Sequence, residues 1–104
     1  MTRVIVTYPT TAGAKFDLDY YMSKHMPMVS QKLTPHGLTR WSVSKGVSGG
    51  APGLPAPVSI TATLEFSSID QVLAGMGAEG AGIMGDVKNY TDIPPQVQID
   101  EVLK

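Results

Sequence analysis

The clearest pattern in the chain lies between positions 58 and 66. Val58, Ile60, Ala62, Leu64 and Phe66 alternate with Ser59, Thr61, Thr63 and Glu65. A period of two predicts a half-buried strand with one apolar and one polar face. Arg3 to Tyr8 is rich in β-branched residues and stops at Pro9, which predicts another strand. Leu38 to Lys45, with Trp41 and Val43 on one face, predicts a third. Gln96 to Leu103, with Val97 and Ile99 two apart, predicts the last.

Two stretches have helical spacing instead. Asp17 is a good N-cap, Asp19 suits the positive end of the helix dipole, and Phe16 and Tyr21 sit where a hydrophobic staple forms. Leu18, Tyr21, His25 and Val29 then mark one face. Pro27 interrupts this helix, because it cannot donate to the carbonyl of Ser23 and disfavours helical geometry at Met26. The expectation is a kink or restart, with helix resuming from Pro27 to about Leu33. The second helix opens on the capping-box pattern Ser68-Ile69-Asp70-Gln71, followed by Val72, Leu73 and Met76. Gly75, Gly77, Gly80, Gly82 and Gly85 each cost about 1 kcal/mol relative to Ala inside a helix, so it is expected to weaken beyond Met76. Asp86 to Pro95 reads as irregular or partly helical.

The order is β-α-β-β-α-β. This predicts an α+β, ferredoxin-like domain: a four-stranded antiparallel sheet with both helices on one face. Gly46 to Pro57 joins the middle strands and contains seven Gly or Pro residues, which marks a long hairpin loop. The uncovered face carries Ser59, Thr61 and Thr63, so it is either solvated or packed on a second copy through a wet interface.

Composition narrows the function classes. The 104 residues fit one domain, 1–104. Lys and Arg number 8 against 9 Asp and Glu, without a basic run, which argues against nucleic-acid or membrane-surface binding. No apolar stretch reaches the roughly 18 residues of a membrane span, and no signal-peptide layout opens the chain. There is no cysteine, hence no disulfide, thiol nucleophile or thiolate metal site, and a cytoplasmic protein is expected. A small domain without staples also gains from association between chains.

The chemistry centres on His25. It lies four residues after Tyr21 on the inward face of the first helix, their Cβ atoms about 5–6 Å apart if the helix continues. Histidine there can act as general acid or base near neutral pH, or simply be a hydrogen-bonded core residue. The break at Pro27 offers a free carbonyl to fix its tautomer. Asp86, Asn89, Tyr90, Thr91 and Asp92 form a polar segment before the last strand, from which a carboxylate can orient His25; the alternative is a solvated loop with Asx turns. Tyr8, Tyr20, Tyr21, Trp41 and Tyr90 can line an aromatic pocket or serve as core and rim residues. His25 and His36 match no metal-ligand spacing, and no phosphate-binding glycine motif is present.

Several of these pieces together resemble one family. Val6-Thr7-Tyr8-Pro9 leads to Phe16-Asp17-Leu18-Asp19-Tyr20-Tyr21, then to Lys24-His25-Met26-Pro27 and Gly37-Leu38. Pro52-Gly53, Phe66 and Asp86-Val87-Lys88-Asn89-Tyr90-Thr91-Asp92 follow. This resembles the ethyl tert-butyl ether degradation (EthD) family of the dimeric α+β barrel superfamily, nearly end to end, with the glycine-dense stretch 75–85 as the main departure. The resemblance implies a homodimer in which two sheets form a barrel, with a ligand pocket between helices and sheet. It implies His25 as the functional histidine, Tyr20 and Tyr21 as the paired tyrosines, and Asp86, Asn89, Tyr90 and Asp92 as pocket or dimer-contact residues.

The resulting expectation is a cofactor-free enzyme of xenobiotic catabolism, a lyase, isomerase or monooxygenase-like protein, acting on an apolar or aromatic small molecule. His25 would be its acid/base, Tyr21 a positioning donor and Asp86 or Asp92 an orienting carboxylate. Tyr8, Tyr20, Trp41, Tyr90, Asn89 and Asp92 would contact the ligand. The alternatives are a non-catalytic accessory protein supporting a partner oxygenase, and a heme or oxygen enzyme with His25 as axial ligand.

Overall fold

The computed structural model describes Met1–Lys104. Four strands, β1 (Thr2–Pro9), β2 (Leu38–Lys45), β3 (Val58–Phe66) and β4 (Gln96–Glu101), form one sheet in the order β2-β3-β1-β4. Every neighbouring pair is antiparallel. Helices lie on one face, which gives the α+β, ferredoxin-like arrangement that the alternating patterns imply.

Register decides which side chains face the helices. Val4 pairs with Leu64, Val6 with Ala62 and Tyr8 with Ile60, so these six residues share the covered face. Together with Phe66, Leu38 and the helical residues Met26, Val29, Leu33 and Val72 they make the core. On the other face Ile5 pairs with Thr63 and Thr7 with Thr61. Arg3 lies there too, with its Nε buried and without a hydrogen-bond partner. Val97 and Ile99 of β4 face the helix side but remain exposed, at 45% and 40%.

The first helical stretch is continuous. It comprises α1 (Leu18–Tyr20), a π-helical turn (Tyr21–His25) and α2 (Met26–Leu33). Asp17 caps it by accepting the Tyr20 N–H, and Phe16 packs edge-on against Tyr21 at 5.1 Å between ring centroids. The kink or restart expected at Pro27 takes the form of the π turn, in which the Met26 N–H bonds to the Tyr21 carbonyl five residues back, and α2 resumes at Met26, one residue before Pro27. The wider turn accommodates the missing Pro27 N–H without ending the helix. It also shifts the phase between the two halves. Leu18, expected on the inward face with Tyr21, His25 and Val29, is 38% exposed, while Val29 is buried.

The second correction concerns α3, which runs from Ile69 to Gly85 through every glycine. Ser68 accepts the Gln71 N–H, and the Gln71 side chain accepts from Ser67 rather than closing on Ser68 itself. Packing holds the helix where propensity would let it fray. Val72, Gly75 and Ile83 are buried, and a Cβ on Gly75 would meet His36 Cβ at 3.1 Å and Leu33 Cδ2 at 3.3 Å. Gly75 therefore permits the close approach of α3 to the end of α2. Gly37, at φ +104, takes the left-handed turn that leads into β2. No helix is long and apolar enough to cross a membrane.

Candidate functional site

A short 3₁₀ turn, Val87–Asn89, follows α3 and returns the chain towards the start of the first helix. It is tied there by backbone and side chain together. The Asp17 N–H donates to the Tyr90 carbonyl at 2.7 Å, the Thr91 hydroxyl donates to the Lys15 carbonyl at 2.5 Å, and the Lys15 N–H donates to Asp92 Oδ1 at 2.9 Å. These bonds place Asp86 and Tyr90 against the π turn that carries Tyr21 and His25.

His25 is almost fully buried, with its Nδ1 2.9 Å from Asp86 Oδ2. A carboxylate only accepts, so Nδ1 carries the hydrogen and Nε2 of the neutral ring is the free base. The Tyr20 hydroxyl donates to Asp86 Oδ1 at 2.7 Å and the Asn89 amide to the same oxygen at 2.8 Å. Burial alone would raise the Asp86 carboxyl; the bonds from Asn89, His25 and Tyr20 outweigh it and hold the group below its ordinary value. Asp86 is thus a fixed anion, engaged on both oxygens. Its bond to Tyr20 in turn raises that phenol above its usual range.

On the other side of the imidazole, the Tyr90 hydroxyl is 3.4 Å from Nε2, and the Tyr8 and Tyr90 hydroxyls are 2.5 Å apart. The Tyr21 ring stacks on both His25, at 5.3 Å, and Tyr90, at 5.0 Å between centroids. Burial above all pushes the phenols of Tyr8, Tyr21 and Tyr90 far above the ordinary value, so all three stay protonated at neutral pH.

These groups border an apolar cavity between helices and sheet, of about 40 Å³. Tyr8, Tyr21, His25 and Tyr90 close one end; Val4, Val6, Met76, Met84, Val87 and Val97 are among the remaining walls. A cavity that binds benzene measures roughly 150 Å³, so this one admits a single functional group until a wall moves. The methionine walls are the adaptable ones.

The expected site residues therefore divide. His25, Tyr21, Tyr8 and Tyr90 meet at the cavity. Asp86 stands behind His25, while Tyr20 and Asn89 bind Asp86 and do not line the cavity. Trp41 lies elsewhere, beside Ser30, Thr34 and Arg40, and Asp92 is exposed and bound to the Lys15 backbone. The orienting group on His25 is the Asp86 carboxylate rather than a carbonyl freed by Pro27. The α3 and β4 wall residues Met84 and Val97 carried no signal in the sequence beyond being apolar. No group of three His, Cys, Asp or Glu side chains is placed to hold a metal ion.

No family model matches the chain, and no curated protein matches it. Among solved structures, an EthD-like protein from Ralstonia eutropha superposes with a TM-score of 0.91 at 41% identity, covering 99% of this chain and 92% of that one. The chain belongs to the EthD-like family. A second EthD family structure, from Bacillus halodurans, matches this chain with a TM-score of 0.74 at 18% identity, over 99% of each. SnoaB, a cofactor-independent oxygenase from Streptomyces nogalater, matches with a TM-score of 0.64 at 10% identity, over 99% of this chain and 92% of that one. The last two likenesses concern the fold alone.

Proposed function

We propose that this EthD-like protein is a cofactor-free catabolic enzyme that moves a proton on an apolar or aromatic small molecule, with His25 as acid/base. The observation that carries the reading is the buried His25–Asp86 pair, whose Nε2 side meets an apolar cavity. Asp86 fixes the tautomer and balances the imidazolium that forms when Nε2 takes a proton. Tyr21, stacked on the ring, keeps it in plane and excludes water. Membership of the EthD-like family supports a role in the breakdown of small apolar molecules, and we place it in the cytoplasm as part of the same proposal.

In this reading two chains join through the open sheet face into a barrel. The Thr61 and Thr63 surface and the unpartnered Arg3 Nε support such a wet contact. Sedimentation of a lone, stable chain would refute it.

The test of the catalytic reading is His25→Ala, expected to lose turnover on the protein's substrate; full activity in that variant ends the assignment. The rival reading is a non-catalytic protein that holds an apolar intermediate for a partner oxygenase; it uses the same apolar lining without turnover. A compound bound stoichiometrically and recovered unchanged would decide for the rival.

A further inference from the structure

His25 as base accounts for a proton but leaves the substrate's own polar atom without a partner. The hydroxyls beside it supply one, and proton counting gives their direction. Nδ1 donates to Asp86, so Nε2 of the neutral ring is a bare lone pair, and the Tyr90 hydroxyl donates towards it. Tyr90 has one hydrogen to give, so the 2.5 Å bond between the two phenols uses the hydrogen of Tyr8. Tyr8, Tyr90, His25 and Asp86 thus form one directed series. A hydroxyl that accepts a hydrogen bond becomes a stronger donor. The Tyr90–His25 contact, at 3.4 Å, is the loosest link, against 2.5 Å and 2.9 Å on either side. It is the link a substrate can open, since catalytic contacts are often long before substrate arrives.

We propose that Tyr90, backed by Tyr8, is a catalytic donor that receives the oxygen of a substrate carbonyl while His25 Nε2 removes a proton from the adjacent carbon. The substrate class is an enolisable carbonyl compound with an apolar body. This rests on the His25 reading above and adds the oxygen-binding half of the site.

The step balances within the site. The C–H bond breaks, an N–H bond forms at Nε2, and the electron pair moves onto the carbonyl oxygen as an enolate. Tyr90 donates to that oxygen, and Asp86 faces the imidazolium. Return of the proton to the same carbon restores the substrate, and return to the far carbon of a C=C bond conjugated with the enolate gives an isomer; either restores His25, with no oxidant or reductant consumed. Burial keeps Tyr90 a neutral donor rather than an anion at neutral pH. An ether offers neither an acidic C–H nor an oxygen on which this charge can rest. The cavity of about 40 Å³ takes the carbonyl end, and the apolar body displaces Met76 or Met84.

The test uses the full chain and two probes. 4-Nitrophenol mimics the enolate, and 1-phenylbutane-1,3-dione reports exchange of its central C–H for deuterium. The wild type is expected to bind 4-nitrophenol as its yellow phenolate below that phenol's own pKa and to accelerate the exchange. Tyr90→Phe should weaken phenolate binding at least about tenfold and slow exchange about a hundredfold. Its affinity for 4-nitrotoluene, which lacks the hydroxyl, should be unchanged. Tyr8→Phe should give a smaller loss of both, and it serves as the second variant should Tyr90→Phe not fold. If both Phe variants accelerate exchange as the wild type does while His25→Gln leaves it at the uncatalysed rate, the Tyr90 inference is wrong and the His25 reading stands. Exchange untouched by His25→Gln overturns the His25 reading itself. A wild type that neither binds the phenolate nor exchanges the diketone overturns the Tyr90 proposal.

Discussion

His25 Nδ1 and Asp86 Oδ2 stand 2.9 Å apart although 61 positions separate them in the chain. The carboxylate can only accept, so it dictates which ring nitrogen is protonated. Asp86→Asn substitutes an amide that can present either its oxygen or its NH₂ to the ring. We expect the single Nδ1–H tautomer to give way to a mixture, read from imidazole ¹⁵N chemical shifts. Turnover should fall by about 10²-fold or more.

The same carboxylate couples folding to acid. Its hydrogen bonds hold it below the ordinary value, so in the acidic range the unfolded chain binds the proton more readily. The contribution is complete above the unfolded carboxyl range, about pH 4, and is lost as pH falls through the lower folded value. Urea unfolding of the wild type between pH 3 and 6 should show the midpoint dropping at the acid end. Asp86→Asn should lack this part of the slope.

At the alkaline end the sign reverses. Tyr8, Tyr21 and Tyr90 are raised, chiefly by burial, so above the ordinary phenol value of about 10 the folded chain keeps protons that the unfolded chain releases. Stability is therefore expected to decline as pH rises beyond about 10. Phenolate absorbance and circular dichroism should change together; ionisation of all the tyrosines with the fold intact would contradict the packing described.

Two glycines of α3 should respond oppositely to alanine. At Gly75 a Cβ crowds His36 and the fully buried Leu33, at 3.1 and 3.3 Å, and Gly75→Ala should cost about 1–3 kcal/mol. At Gly77 nothing lies within 4 Å. Gly77→Ala should stabilise by about 0.5–1 kcal/mol, by reducing the freedom of the unfolded chain. Denaturant midpoints of the two variants measure both.

What could be read from the sequence was what local chemistry decides. The strands Leu38–Lys45 and Val58–Phe66 have the expected bounds, since alternation and the flanking glycines and proline act within a few residues. Asp17 and Ser68 cap as expected for the same reason. The extent of α3 was not legible, because contacts of Gly75 with Leu33 and His36 are made across the fold. Nor was the choice of Asp86 over Asp92 as the group on His25. Both precede the last strand, and only the Val87–Asn89 turn and the bonds of Lys15 to Thr91 and Asp92 decide which one points inward. Trp41 shows the limit of residue type as a guide: it is aromatic and on the covered side of its strand, yet away from the cavity.

The π turn at Tyr21–His25 makes chain length, rather than side-chain identity, the sensitive variable in this stretch. Met22, Ser23 and Lys24 point to solvent and can be exchanged freely as far as packing is concerned. Deleting any one of them would take up the slack of the wide turn. The turn would become an ordinary α-helical one, with the tyrosine at 21 and the imidazole three residues apart instead of four, and their stacking beside Asp86 would be lost.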